Sequence, residues 1–395
     1  MGAGKGRIVG AGGLSTTIES IAGAKAFDAL APAWTALLAN CTDYPLSHTH
    51  AYAGVAVEQA LNRGAKVFVV LAKSTDRLVG LWPLIVERQG LWRHLGCLSS
   101  GTGDERSTPL VDPAHAAAAL EAILAAAAAI KSDIWKIGVV EPDGPFATAL
   151  ARMPPGVLPQ SSEIRVGFAA TLRNFDSWGD YQATVSPSRL ADLRMRARRL
   201  AKLGHPEFGW CKSGREAAAV IAWLVENKRG WAKVRRIDTP WIFQDRVGEF
   251  FQRLSDRLDL SETPMIAYLK LDDQIIAAQV TLFGDQTAQL FLLTYDPQFG
   301  RASPGALLMD YCLKWCVENR RDFDMMMLRA EYKERLADRV TDYQVYFALR
   351  SPWVRFWFPM SRGLAWALRR LRRAPGKAVS LLRSRTPAGT NTARA

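Results

Sequence analysis

The sequence predicts an α/β protein of two similar halves, each a mixed sheet flanked by helices, followed by a basic amphipathic C-terminal segment. Three observations lead there. Strand–turn–strand units recur about two hundred residues apart, each unit follows a stretch of helical periodicity, and no acidic residue occurs after Asp342.

The first unit is Val67-Phe68-Val69-Val70-Leu71-Ala72, a turn at Ser74-Thr75-Asp76, and a second apolar run over residues 78–86. Short runs of β-branched and aromatic residues bounded by turn formers read as strands. A helical segment at 51–63 precedes the unit. An alanine-rich helix over 114–130 and strands over 134–140 and 167–172 continue it. The second unit repeats the plan with residues 265–271, a turn at Asp272-Asp273 and residues 275–283, behind a helical segment at 245–258. The chain therefore divides into a flexible start (1–25), a first module (26–175), a second module (176–347) and a tail (348–395).

Between the halves, residues 186–203 read as a basic helix carrying Arg189, Arg194, Arg196, Arg198, Arg199 and Lys202, with Leu190, Leu193, Leu200 and Leu203 as its core stripe. A second amphipathic segment, 217–231, ends near Glu226, Lys228, Arg229 and Trp231. Such charge runs are ordinarily solvated faces. Here they fall at the junction of two similar halves, where ligands commonly sit, so Arg198, Lys228 and Trp231 are candidate substrate contacts.

Residues 286–335 carry the densest chemical signal. The apolar run 288–295 reads as a buried strand ending at Asp296-Pro297. After the loop 298–302, Ser303-Pro304-Gly305 supplies a preferred N-cap and a preferred first helical residue. Leu307, Leu308, Tyr311, Cys312 and Trp315 then recur at helical spacing. A small-residue loop at a helix N-terminus offers free N–H groups and a positive dipole end to an anion such as a pyrophosphate, with Arg301 beside it. An ordinary capped helix accounts for the same residues. Glu331-Tyr332-Lys333 follows as a compact polar cluster.

At 395 residues the chain exceeds one ordinary core. Cys41, Cys97, Cys211, Cys312 and Cys316 show neither disulfide nor zinc spacing, and the five histidines do not complete a ligand set, so no metal is expected. Cys312 and Cys316 lie one helical turn apart and read as core. Residues 1–20 lack the apolar stretch of a signal peptide, and no segment reaches the roughly 18 uninterrupted apolar residues of a spanning helix. The net charge of +13 is uneven, because 11 arginines and lysines follow Asp342 and leave the preceding residues near +2. Trp353, Phe356, Trp357, Phe358, Met360 and Trp366 interleave with them. That pattern suits an anionic membrane surface, engaged through residues 350–385. A docking helix and nucleic-acid binding use the same residues.

Taken in order, Arg194-Met195-Arg196-Ala197-Arg198-Arg199-Leu200, Glu226-Asn227-Lys228-Arg229-Gly230-Trp231, Tyr295-Asp296-Pro297, Ser303-Pro304-Gly305, Phe323-Asp324 and Glu331-Tyr332-Lys333 resemble the CelD-like acetyltransferases of the GNAT superfamily, relatives of the FemAB peptidyltransferases. The likeness extends weakly over residues 34–112, through Trp34, Pro83-Leu84 and the loop around Asp104. It implies tandem GNAT modules, with acyl-CoA in the second and the acceptor in the groove between them. Such proteins often carry a glycine-rich stretch before Glu-Tyr-Lys, where this chain has Met325-Met326-Met327-Leu328-Arg329-Ala330.

The resemblance further implies an N-acyltransferase, dependent on acetyl-CoA or another acyl-CoA, in the making of exopolysaccharide or holdfast material. Its acceptor would be an amino sugar or lipid-linked saccharide at the inner face of the cytoplasmic membrane. Acyl transfer needs a neutral amine, a polarised carbonyl and a proton for the leaving thiolate. Asp104, Asp324 and Glu331 are candidates for accepting the amine proton, Tyr332 for donating to the thiolate, and Lys333 for fixing a carboxylate or phosphate. Leu293 and Tyr295 on an opened strand, with Gly300, Arg301, Ser303, Gly305 and Ala306, would hold the acyl-CoA. Two alternatives stay open: aminoacyl-tRNA-dependent transfer, as in the FemAB relatives, and a non-catalytic membrane-associated protein that senses an anionic nucleotide through its arginine-rich end.

Overall fold

In the computed structural model, residues 6–9, 14–101, 105–106, 108–154, 160–235 and 240–357 are described. The chain divides into two compact units, residues 1–348 and 349–395. The first half of the larger unit contains β1 (Gly6–Val9), β2 (Leu14–Ile21), α1 (Ala24–Asp28), α2 (Ala31–Leu38), α3 (His50–Asn62), β3 (Lys66–Ser74), β4 (Arg77–Gln89), β5 (Trp92–Cys97), β6 (Leu110–Val111), α4 (Ala116–Ala128), β7 (Ile134–Val140), α5 (Pro145–Arg152) and β8 (Gln160–Ala170). The second half follows with α6 (Trp178–Thr184), α7 (Pro187–Ala201), β9 (Pro206–Trp210), α8 (Gly214–Arg235), α9 (Arg246–Arg257), β10 (Ile266–Leu271), β11 (Gln274–Phe283), β12 (Thr287–Tyr295), α10 (Pro304–Glu318), β13 (Asp322–Met327), α11 (Glu331–Leu336) and β14 (Arg339–Leu349).

Local chemistry sets several of these boundaries. Thr49 accepts the Tyr52 N–H to start α3, and Ser186 accepts the Arg189 N–H to start α7. The two expected hairpins share one irregularity. Ala72 pairs with Gly80 and Lys73 with Leu78, leaving Val79 as a bulge, while Leu269 pairs with Ala277 and Lys270 with Ile275, leaving Ile276 as a bulge. Left-handed residues close both turns, Thr75 in the first and Asp272 with Asp273 in the second.

All the strands join one sheet, in the order β1-β2-β3-β4-β5-β7-β14-β8-β13-β12-β11-β10-β9, with β6 on β4. The order is nearly palindromic. The parallel pair β5/β7 mirrors the parallel pair β12/β13, and antiparallel hairpins flank each. At the centre the final strands are exchanged. β8, from the first half, lies against β13, while β14, from the second half, lies between β7 and β8. The fold is thus α/β with two tandem GNAT-like modules that share a sheet.

On one face α3 packs against α9, and a single core runs through both halves from Val55 and Val57 to Phe250, Phe251 and Leu254. Tyr52 and Phe250 meet edge-on with ring centroids 4.9 Å apart. Gln59 donates to the Arg246 carbonyl at 2.8 Å, and Glu58 pairs with Arg257. An acceptor groove between the halves is therefore not found on this face, because apolar side chains fill the space. The other face is divided, with Trp82, Trp135 and Phe146 packing under α4 and α5, and α7 and α10 covering the second half. Cys312 and Cys316 lie on the buried face of α10, whereas Leu203 is exposed instead of completing the α7 stripe.

In the smaller unit, residues 352–357 are helical, with Trp353, Phe356 and Trp357 exposed. The remainder of the expected basic tail, from residue 358 on, lies outside the described residues. No helix among the described residues is long and apolar enough to cross a membrane.

Candidate active site

β12 is hydrogen-bonded to β11 along its whole length, from Phe283–Ala288 to Ala277–Tyr295, with Phe291 left over as a bulge. Its other edge pairs with β13 only from Thr287–Asp322 to Gln289–Asp324. Beyond residue 289 the two strands part. Asp296 donates its N–H to the Ile276 carbonyl, so by alternation Leu293 turns its backbone groups away from β11 and into the gap. Lys228 marks that edge, its Nζ donating to the Leu293 carbonyl at 3.0 Å.

The departure of β13 is built into its backbone. Met326 and Leu328 hold φ of 61° and 76°, left-handed values that glycine would adopt without strain, and the β13–β8 register slips between Asp324 and Met327. Asp324 accepts the Met326 N–H at 2.8 Å, and Lys333 donates to the Met327 carbonyl at 2.6 Å. These two contacts fasten the bend.

The gap opens into a cleft of about 1460 Å³ that reaches both faces of the sheet. On the α10 face it is lined by Ser303, Gly305, Ala306, Met309 and Asp310, with Arg189, Asp192, Leu193 and Arg196 of α7. On the α8 face stand Lys228, Trp231 and Arg235, and Glu331, Tyr332 and Lys333 close another side. Ser303 is itself left-handed and makes no side-chain cap; its hydroxyl bonds the Gly300 carbonyl, leaving the start of α10 uncapped toward the cleft.

The candidates named from sequence fall into two groups. Leu293, Tyr295, Ser303, Gly305, Ala306, Lys228, Trp231, Glu331, Tyr332 and Lys333 line this one cleft. Gly300, Arg301 and Arg198 do not. The Arg301 side chain is exposed, and its carbonyl is held by Arg199 at 2.7 Å. Arg198 follows Arg189 by nine residues, half a turn round α7, while Arg189, Asp192, Leu193 and Arg196 share the cleft-facing stripe. Asp324 is 1% exposed, absent from the cleft lining and paired with Arg106 at 2.9 Å. Lys333 lines the cleft but is buried, with its ammonium on the Met327 carbonyl. Asp104 lies outside the described residues.

Sequence reasoning missed Asp310. It interrupts the apolar run of α10, and burial pushes its carboxyl up to about 6, against the opposing pull of Arg189. Among the described residues its carboxylate makes no hydrogen bond or ion pair. Across the cleft, Lys228 lies over the Trp231 ring with Nζ 4.3 Å from its centroid. Burial, and secondarily Arg235, lower its ammonium to about 8. Burial also pushes the Tyr332 phenol up to about 12, making it the weaker acid of the two. Among the described residues no group of three or more His, Cys, Asp or Glu is arranged to hold a metal.

Residues 187–334, which contain most of this cleft, match the family described as acetyltransferase (GNAT) domain. FemX superposes over 85% of this chain and 99% of its own at 11% identity, with a TM-score of 0.56. The C-terminal domain of a putative lysylphosphatidylglycerol synthetase from Agrobacterium fabrum superposes over 82% and 92% at 12% identity, with a TM-score of 0.50. At such identities the likeness is one of fold. No curated protein matches the sequence. With residues 187–334 similar to a GNAT acetyltransferase domain and built around the cleft, the enzyme is an acyltransferase.

Proposed function

We propose that the protein transfers the acyl group of an acyl-CoA to the amine of an amino sugar or another envelope or exopolysaccharide intermediate at the inner face of the cytoplasmic membrane. The observation carrying this reading is the parted edge of β12 beside the uncapped start of α10, within a segment matched to an acetyltransferase domain. The pantetheine arm lies along the free edge of β12, the thioester oxygen accepts the Leu293 N–H, and the CoA phosphates meet the start of α10 with Arg189 and Arg196. The acceptor nitrogen attacks the carbonyl carbon and the C–S bond breaks. Asp310 accepts the amine proton, and Lys228 donates a proton to the departing thiolate. The saccharide acceptor and membrane location are supported by the resemblance of the motifs and by the aromatic, arginine-rich residues after 350.

Calorimetric titration with CoA and acetyl-CoA tests the donor. A Cβ on Gly305 would already lie 3.1 Å from Tyr295 Cδ1, so Gly305→Trp crowds the cleft. Saturable binding in the wild type that disappears in this variant is the expected result. A second reading, transfer from aminoacyl-tRNA, draws on the likeness in fold to FemX and on the basic α7 stripe. Absence of any CoA binding, together with transfer from aminoacyl-tRNA, would replace the first reading by the second.

A further inference from the structure

The cleft is larger and more apolar at its inner end than an acetyl group requires. Above the last paired residues, Gln289 and Asp324, both edges of the gap are apolar: Leu290 and Leu292 on β12, Met325 and Met326 on β13, with Met309 on the α10 side and Leu328 at the mouth. Leu290, Met309 and Met325 belong to the core under α10, whereas Leu292 belongs to the core under α8. A chain threaded between the strands would therefore touch apolar groups from both faces. Methionine is unbranched and polarizable, and it adapts to a flexible hydrocarbon better than a β-branched residue does. Leu328 is 72% exposed and held at φ 76°, an apolar side chain kept at the entrance at a cost in backbone strain. The depth is bounded. From Leu293 to the zipped residue Gln289 the strand advances three ladder steps because of the Phe291 bulge, roughly 10 Å at about 3.3 Å per step, and the pairing of Gln289 with Asp324 closes the gap there.

We propose that the space between β12 and β13 is an acyl-chain subsite, and that the donor is a thioester carrying a medium-length apolar chain. The proposal rests on the acyl-CoA reading above and names its substrate class. The thioester carbonyl sits at the Leu293 N–H, and the hydrocarbon runs down between Leu290, Leu292 and Met326 until the pairing of Gln289 with Asp324 closes the gap.

Calorimetric titration of the full chain with CoA, acetyl-CoA, octanoyl-CoA and palmitoyl-CoA tests this, below the concentrations at which the long-chain thioester forms micelles. At about fourfold per buried methylene, partial burial of an octanoyl chain tightens binding at least roughly 30-fold over acetyl-CoA. Palmitoyl-CoA gains nothing further, because the closed gap excludes its end. In Leu328→Asn, a substitution at an exposed position whose new residue tolerates the left-handed backbone, the octanoyl-to-acetyl affinity ratio falls several-fold. Equal affinity for acetyl-CoA and octanoyl-CoA overturns the subsite while leaving the acyl-CoA reading in place. Binding of none of the four overturns that reading and the subsite with it. Octanoyl-CoA binding that persists undiminished in Gly305→Trp marks adsorption elsewhere on the basic surface and also overturns the subsite.

Discussion

Arg106 and Asp324, 218 residues apart in the chain, meet at 2.9 Å across the two halves. The same guanidinium meets the Tyr343 hydroxyl and lies 5.2 Å from the centroid of that ring. Through Asp324 it is coupled to the Met326 N–H, and so to the bend that parts β13 from β12. Arg106→Met leaves a carboxylate buried without its cation and is expected to cost about 3–5 kcal/mol. Replacing both partners, with Asp324→Leu in the same chain, recovers part of that loss. Chemical denaturation reads both, and a single-variant loss below about 1 kcal/mol would reduce the pair to an incidental contact.

The acid and base of the proposed reaction titrate on opposite sides of neutrality. Asp310 must be ionised to accept a proton, so turnover rises as the pH passes about 6; Lys228 must be protonated to donate one, so turnover falls as the pH passes about 8. Asp310→Asn is expected to lose about 10²–10⁴-fold in kcat and to abolish the acid limb. Lys228→Met removes the alkaline limb, and a thioester with a more acidic leaving thiol restores part of its rate. Rate loss in Lys228→Met that ignores the leaving group would leave the lysine a packing role only.

Backbone strain at the cleft mouth has a measurable sign. Leucine in the left-handed region costs of order 1 kcal/mol, and Leu328 buries little apolar surface in return. Leu328→Gly should therefore leave stability unchanged or raise it by up to about 1 kcal/mol. An equally conservative change at a buried β-strand position lowers it. Thermal unfolding distinguishes the two, and a marked loss in Leu328→Gly would mean that the leucine packs on the protein itself.

Removal of residues 351–395 is expected to release the protein from anionic vesicles while the body, residues 1–348, keeps its fold. Vesicle cosedimentation at low and moderate salt, alongside circular dichroism, checks both parts. Retained vesicle binding by the truncated chain would move the attachment elsewhere.

Much of the second half is legible from local signals. Strand β12, the start of α10 and both bulged hairpins are written in short apolar runs and turn residues, and the repeat between the hairpins reveals the duplication. β13 is harder, because Asp322 and Asp324 interrupt its apolar run although both are buried. Their partners come from far along the chain: Asp322 accepts the N–H groups of Leu172 and Arg173, and Asp324 takes Arg106. β8 and β14 alternate too weakly to reveal that they change places. In the site, position on a motif located the cleft, but only tertiary burial gives Asp310 and Lys228 their shifted protons. Arg198 and Arg196 are indistinguishable until the orientation of α7 is known.

The exchanged strands impose an order on biosynthesis. β7 emerges from the ribosome with one edge unpaired, and β14, which covers it, follows roughly 200 residues later, about 10–40 s at ordinary elongation rates. During that interval the earlier part of the chain presents an open strand edge to its neighbours, the geometry that seeds intermolecular pairing. Fragments ending before Arg339 should accordingly depend on chaperones, and the first half of this protein is finished last.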